Sequence, residues 1–250
     1  MDNNKPKDYD LLLKEYEEFA YVVSHDLSAP LRQISGFTDI LLGEIGDKLP
    51  DTQKVYRDMI MHAVEEAHLS LDALLEFSRL NTDEKTFEEF ETKDLLTDVL
   101  KKLHLIIVDK HANITSDNLP QKMYGDIKIL TQAFYHLIHN ALKFQPDDQK
   151  PEIKITAEQK DSVITFCIED NGIGIRPERQ EQVFIILRKA NSNEKFPGRG
   201  VGLTFAKKIA MIHGGDAWLE SEPNKGTKIY FSIDMNAKPE HADRDRLKRD

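Results

Sequence analysis

The sequence predicts an α+β chain in two parts: a helical hairpin that pairs with a second copy into a four-helix bundle, followed by an α/β sandwich. Three observations carry this expectation. Apolar residues recur at three- and four-residue steps through two long runs before residue 80. Beyond a short polar stretch the pattern alternates between helical and strand periods. A glycine-rich segment, Gly198-Arg199-Gly200-Val201-Gly202-Leu203, then opens a further helical run.

Residues 1–7 are polar and are expected to be disordered. The first helix is read from Leu12, Tyr16, Phe19, Val23, Leu27, Leu31, Ile34, Leu41 and Ile45. Gly46-Asp47-Lys48-Leu49-Pro50-Asp51 breaks it, and Thr52 is the expected N-cap of a second helix running through Val55, Met59, Ala63, Ala67, Leu71, Leu74 and Phe77. A two-helix hairpin has one broad apolar face and nothing of its own to cover it, so a homodimer is the simplest remedy. This part is expected to span residues 8–80, with a polar linker over 81–86.

The second part is expected over residues 87–235. Helices are read at Leu95–Ile107, at Ile129–Phe144 and at Leu203–Ile212, where Phe205, Ile209 and Ile212 share a face. Strands are read at Ile153–Ala157 and Val163–Ile168, with Asp161 in the turn between them. Two more follow at Ala217–Ser221 and Thr227–Ile233, joined by Pro223-Asn224-Lys225-Gly226. Residues 236–250 are a charged tail without apolar period.

Composition narrows the function classes. The 250 residues leave room for two domains of ordinary size. A net charge of -10 argues against nucleic acid as a partner, since phosphate backbones demand a basic face. The lone cysteine, Cys167, excludes an intramolecular disulfide and fits a reducing compartment. No apolar run approaches the ~20 residues that span a bilayer. A cytoplasmic chain without direct membrane insertion is therefore expected.

Two constellations carry chemistry. In Ser24-His25-Asp26-Leu27-Ser28-Ala29-Pro30, His25 shares its helix face with Glu18, Tyr21, Ser28 and Arg32, a mostly polar set. Pro30 lacks an N–H and crowds the carbonyl of Asp26, loosening the helix one turn past the histidine. Asp26 can orient the imidazole or accept its proton, leaving the other nitrogen as nucleophile. An ordinary solvated histidine satisfies the same pattern.

The second constellation is a candidate nucleotide pocket. His136, Asn140, Lys143 and Phe144 share one face of their helix. Asn140 offers a neutral carbonyl oxygen suited to Mg²⁺, and Lys143 a point charge for phosphate. Asp170-Asn171-Gly172-Ile173-Gly174-Ile175 ends an apolar strand with a carboxylate able to accept from the amino group of adenine. Its glycines, Gly172 and Gly174, let a base approach the backbone. A solvated turn has the same Asp-Asn-Gly chemistry. The alternating glycines 198, 200 and 202 free consecutive N–H groups to face an anion at a helix start. Between the glycine clusters, residues 176–197, with Arg188, Lys189 and Lys195, read as a lid over a ligand or as a long surface loop.

Taken together these segments resemble the sensor histidine kinases of two-component signalling, over nearly all of residues 8–234. SHDLSAPLR is similar to the phosphoacceptor box, in the form of the phytochrome-like branch. QAFYHLIHNALKF resembles the N box, DNGIGI the first glycine box, VFIIL a divergent F box and GRGVGL the second glycine box. Ile212-His213-Gly214-Gly215 and Lys225-Gly226-Thr227 match the family's closing segments. The resemblance implies a Bergerat-type ATP domain, of the kind shared with Hsp90-like chaperones, DNA gyrase and MutL-like ATPases. It implies ATP held by Asp170 at the adenine and by Lys143, Arg188, Arg199, Val201, Leu203 and the amides of Gly198, Gly200 and Gly202 around the phosphates. Asn140 would hold Mg²⁺ and Phe144 would line the pocket. His25 would attack the γ-phosphoryl group with Asp26 as base, and the group would pass to an aspartate of a response regulator receiver domain. An upstream sensor domain or sensor protein would supply the signal.

The sequence departs from the family at four points. His136 stands where the N box usually has its first Asn. Ile185-Ile186-Leu187 lacks the Pro and second Phe of the F box. Ala29 stands where phosphatase-competent relatives carry Thr or Asn, so weak or absent phosphatase activity is expected. No sensor domain precedes the hairpin in this sequence. The altered boxes keep an alternative in view, a catalytically weakened kinase-like protein that regulates a response regulator or another kinase through its bundle.

Overall fold

The structure, a computed structural model, describes residues 26–43, 50–186, 188, 196 and 200–239. The chain divides after Asp83 into two compact units. His25, Gly198 and Arg199 lie outside the described residues.

The first unit is helical. Helix α1 covers residues 26–43 and runs without a break through Pro30. Helix α2 is Asp51–Thr82, and its N-cap is Pro50 rather than the expected Thr52. The reason is local. Proline fixes its own φ, here -56°, and the Pro50 carbonyl accepts the first helical bonds from Gln53 N (2.8 Å) and Lys54 N (3.1 Å), which leaves Thr52 inside the first turn. Val64, Leu71, Ala73 and Leu80 are buried. Leu27, Ile34, Phe37 and Leu41 of α1, and Val55, Tyr56, Met59 and Ile60 of α2, remain exposed, Phe37 at 69%. Among the described residues no helix is long and apolar enough to cross a membrane.

The second unit is a two-layer sandwich. Its elements are β1 (Glu88–Glu91), α3 (Thr92–Asp109), β2 (Asn113–Asp117), β3 (Lys122–Gly125), α4 (Ile127–Lys143), β4 (Glu152–Lys160) and β5 (Val163–Asp170). They continue with α5 (Pro177–Gln180), a 3-10 turn at Gln182–Phe184, α6 (Gly202–Ile212), β6 (Ala217–Glu222) and β7 (Gly226–Asp234). Strands β2-β4-β5-β7-β6 form the main sheet, with β2 parallel to β4 and the rest antiparallel. Strands β1 and β3 pair separately.

Alternation along the strands decides which face is covered. Ile164, Phe166 and Ile168 of β5, with Ile229, Phe231 and Ile233 of β7, are almost fully buried beneath the helices. Phe134 of α4 meets Phe166 and Phe231 edge-on at 5.0 and 5.6 Å. Each such ring contributes about 1.5–3 kcal/mol by leaving water. The opposite face carries the cross-strand row Thr156, Cys167, Tyr230 and Trp218, in which Trp218 stacks on Tyr230 at 5.3 Å. Burial raises the Cys167 thiol above its ordinary pKa, and the Glu169 carboxylate adds to this.

The short strands β1, β2 and β3 escaped the sequence reading. Asn113–Asp117 and Glu88–Glu91 contain one apolar residue each and become strands through pairing, β2 with β4 and β1 with β3. The unit's corner is tied by Asp126, which also escaped notice. Its Oδ1 accepts from Lys128 N (3.0 Å) and Ile129 N (3.4 Å), capping α4, while Oδ2 accepts from Thr86 N at 3.0 Å. His213, fully buried, closes the same corner. Its Nε2 accepts from Asp126 N at 3.0 Å, Nδ1 sits 2.8 Å from the Ile209 carbonyl, and its ring stacks on Phe87 at 4.7 Å. Donating at Nδ1 and accepting at Nε2 requires the neutral ring. Burial accordingly holds its pKa below the ordinary histidine value.

Candidate functional site

The site is built along the last turns of α4, where two glycine clusters close on it from opposite ends. At one end β5 delivers Asp170. Its Oδ1 accepts from Gly172 N (2.8 Å) and Thr227 N (3.3 Å), so two amides hold one oxygen and Oδ2 is left for a ligand. Burial pushes this carboxyl up to about 6, partly opposed by those two amides. The glycines here are imposed by contact. A Cβ on Gly226, at φ 93°, would lie 1.9 Å from the Asp170 carbonyl oxygen, and one on Gly172 would lie 2.3 Å from that of Phe144. The Phe144 carbonyl in turn accepts from Ile173 N at 3.0 Å, which fastens the end of α4 under the first glycine cluster.

Asn171 proves structural. Its Oδ1 accepts from Glu152 N at 2.9 Å and its Nδ2 donates to the Lys150 carbonyl at 3.0 Å, pinning the start of β4. That removes the solvated-turn reading for this residue. Gly174 is at φ 65°, and a Cβ there would lie 2.0 Å from the Glu222 carbonyl oxygen.

At the other end lies the start of α6. No side chain caps it: Val201 occupies the N-cap position without a side-chain hydrogen bond, so the first amides face outward. A Cβ on Gly202 would lie 3.3 Å from Asn140 Nδ2 and 3.5 Å from His136 Nδ1, which brings both α4 side chains to that helix start. Gly200, at φ 68°, backs onto the Arg188 carbonyl, 2.4 Å from where its Cβ would be, so the two ends of the intervening segment meet. Lys143 Nζ lies 5.1 Å over the Phe144 ring, and Phe196 packs on that ring at 5.3 Å. Val201 and Leu203 flank the same opening and are half-buried. Asp26 belongs to the first unit and is exposed on α1.

Two residues of the Asp170 corner were not among the expected site residues. Thr227 supplies the second amide to Asp170. Gln145 is buried beside Gly172, its Nε2 donating to the Ala141 carbonyl at 2.7 Å while Oε1 has no hydrogen-bond partner. The signal for Gln145 was its place directly after the Lys143-Phe144 pair; nothing in its residue type marked it. Chemically the arrangement offers an acceptor for an exocyclic amine at one end and an amide-lined helix start for an anion at the other.

Such a fold and pocket define an ATP-binding domain of the histidine kinase, gyrase and Hsp90 class. The comparisons agree. Residues 125–237 match the family of histidine kinase-, DNA gyrase B- and HSP90-like ATPases, and residues 15–83 match the His kinase A (phospho-acceptor) domain. With both domains in this order, the chain belongs to the sensor histidine kinases of two-component signalling.

Cyanobacterial phytochrome A of Nostoc sp. is 33% identical over 90% of this chain, and the signal transduction kinase BarA of Escherichia coli is 28% identical over 89%. The chain spans only 29% and 25% of those relatives. Among solved structures, full-length ShkA in complex with AMPPNP is similar with a TM-score of 0.61 at 23% identity, covering 90% of this chain and 48% of that one. The complex of histidine kinase ThkA with the response regulator TrrA is similar with a TM-score of 0.63 at 20% identity, covering 94% of this chain and 68% of that one. At these identities the structural likeness speaks for the fold.

Proposed function

We propose that the chain is the kinase core of a sensor histidine kinase, which binds Mg-ATP, phosphorylates His25 and passes the phosphoryl group to an aspartate of a response regulator. The observation that carries this reading is the convergence on α4 of Asp170 with its two amides at one end and the uncapped start of α6 at the other. In it, Asp170 Oδ2 accepts from the adenine amino group, and Lys143 with the amides from Gly200 to Leu203 neutralises the phosphates. The resemblance to the family adds Arg188, and Gly198 and Arg199 outside the described residues, to the phosphate-binding set. Gly172 and Gly174, which make room for the Phe144 and Glu222 carbonyls, shape the loop beside the base, with Phe144 as the wall.

The residues fit a divalent ion. Asn140 carries a carbonyl oxygen of the kind the ion prefers, and its carboxamide and the His136 ring stand at the start of α6, Nδ2 and Nδ1 lying 3.3 and 3.5 Å from where a Cβ on Gly202 would be. Bound there, Mg²⁺ would offset charge on the β- and γ-phosphate oxygens. The chain's own groups do the rest. An imidazole nitrogen of His25 forms the N–P bond as the bond to the ADP oxygen breaks, and Asp26 takes the proton from the other nitrogen. The carboxylate of a receiver aspartate then displaces the imidazole. The complex of ThkA with TrrA supports the partner class. Exposed apolar residues on α1 and α2 support a homodimer through the hairpin. Ala29 offers no polar side chain to position a water, so dephosphorylation of the receiver is weak; efficient dephosphorylation by the purified chain would refute that point.

Incubation with γ-labelled ATP tests the proposal. Acid-labile label is expected on the chain and is expected to vanish in His25→Gln, with ATP binding and oligomeric state unchanged. Label that survives this substitution would overturn the assignment of His25.

A further inference from the structure

We propose that Phe87 and His213 are positioning residues for phosphoryl transfer to His25: their stack clasps the chain where it enters the second unit, and so sets the length and the anchorage of the tether between hairpin and nucleotide; this rests on the kinase reading above. The clasp is closed at consecutive residues. Phe87 lies flat on the His213 ring, centroids 4.7 Å and planes 8° apart, and Tyr124 meets Phe87 edge-on at 5.9 Å. One residue earlier, Thr86 N donates to Asp126 Oδ2 at 3.0 Å, while Asp126 N donates to His213 Nε2 at 3.0 Å. Gly125 makes room for the imidazole, since a Cβ there would lie 2.6 Å from His213 Cδ2.

Two consequences bear on the transfer. The first is length. Helix α2 ends at Thr82 and β1 begins at Glu88. With Thr86 clasped, four Cα steps separate the hairpin from the first residue fixed in the second unit, a reach of at most about 14 Å; without the clasp the six steps to Glu88 reach about 21 Å. A longer tether dilutes a group carried at its end and loosens its orientation. The second is direction. His213 is the C-cap of α6, and its carbonyl accepts from Asp234 N at 2.8 Å. The other end of α6 is Gly202, where the reading above places the phosphates. At about 1.5 Å per residue, α6 is a strut of about 16 Å from the clasp to the phosphate end. The point at which the tether is held is thus joined to the nucleotide by one rigid element.

Phe87→Ala in the whole chain, assayed at saturating ATP, tests this. Label on His25 should accumulate about tenfold more slowly, with affinity for a fluorescent ATP analogue kept within about twofold. Phe87→Tyr, which retains the ring, should keep the wild-type rate. A Gly-Ser-Gly-Ser insertion after Glu84 lengthens the tether and leaves the clasp intact, so it should slow labelling to a similar degree. Combined with Phe87→Ala it should add little, because both changes act on the same tether. The proposal is overturned by a Phe87→Ala rate within about twofold of wild type, by nucleotide affinity lost in step with the rate, by Phe87→Tyr as slow as Phe87→Ala, or by full additivity in the combined variant. An insertion without effect also overturns it, and decides the matter where Phe87→Ala fails to fold. A wild-type chain that acquires no label on His25 overturns the kinase reading together with this one.

Discussion

The amide of Gly172 donates to Oδ1 of Asp170 at 2.8 Å, from a position where any side chain would strike the Phe144 carbonyl. Loop and carboxylate are therefore fixed together, and Asp170 is held where its burial raises its pKa to about 6. Because the ionised form is the better acceptor for an amine, ATP affinity is expected to rise as pH climbs through about 6 and to level off above 7. Asp170→Asn should lose that pH dependence and weaken binding at least about tenfold, since a buried acceptor is exchanged for a group that also donates. Titration with a fluorescent ATP analogue between pH 5 and 8 checks both.

His213 makes an opposite pH statement about stability. Its folded pKa lies below the ordinary value of about 6.5, so the unfolded chain takes up its proton first as pH falls. The contribution is complete above about 6.5 and declines below it. Thermal unfolding of the chain should show a midpoint that drops from pH 7 to pH 5.5, and a flatter profile in His213→Ala. At pH 7 that variant should lose about 2–4 kcal/mol, having removed a stacked ring and left the Asp126 amide without its acceptor.

Glycines divide sharply by context. Gly226→Ala would place a methyl 1.9 Å from the Asp170 carbonyl oxygen at a positive φ, and should cost at least about 3 kcal/mol along with ATP binding. Gly36→Ala in α1 meets nothing within 4 Å, and should stabilise the helix by about 0.5–1 kcal/mol. Urea unfolding of the pair, monitored by circular dichroism, separates the two.

The apolar side chains left bare on α1 and α2 predict association. Phe37, exposed at 69%, and Met59, at 64%, should become buried in a homodimer. The double substitution Phe37→Asp with Met59→Asp should shift the chain from dimer to monomer in sedimentation velocity. A wild-type chain that stays monomeric at tens of micromolar would dismiss the bundle.

What could be read in the sequence was what is encoded locally. The amphipathic helices α3, α4 and α6 and the apolar strands β4, β5 and β7 announce themselves by period, and the glycine clusters by the backbone freedom they need. Asp170 and Asn140 were visible because motif and spacing put them on one strand end and one helix face. The contributions that escaped are made across the fold. Glu88–Glu91 is a strand only because Lys122–Gly125 lies beside it, Asp126 caps α4 while reaching back to Thr86, and Gln145 matters only where it abuts Gly172. Thr52 misled because a good capping residue sat two positions past a proline that already closed the turn.

The open face of the main sheet has a practical consequence. Its row carries the chain's sole thiol, wedged among Tyr230 and the carboxylates of Glu169 and Glu220, and reluctant to ionise at neutral pH. Maleimides and oxidants react through the thiolate, so they should react with it more slowly than with an exposed thiol at its ordinary pKa. A reporter dye can then be attached at a newly introduced, exposed cysteine on either unit with the native one left in place.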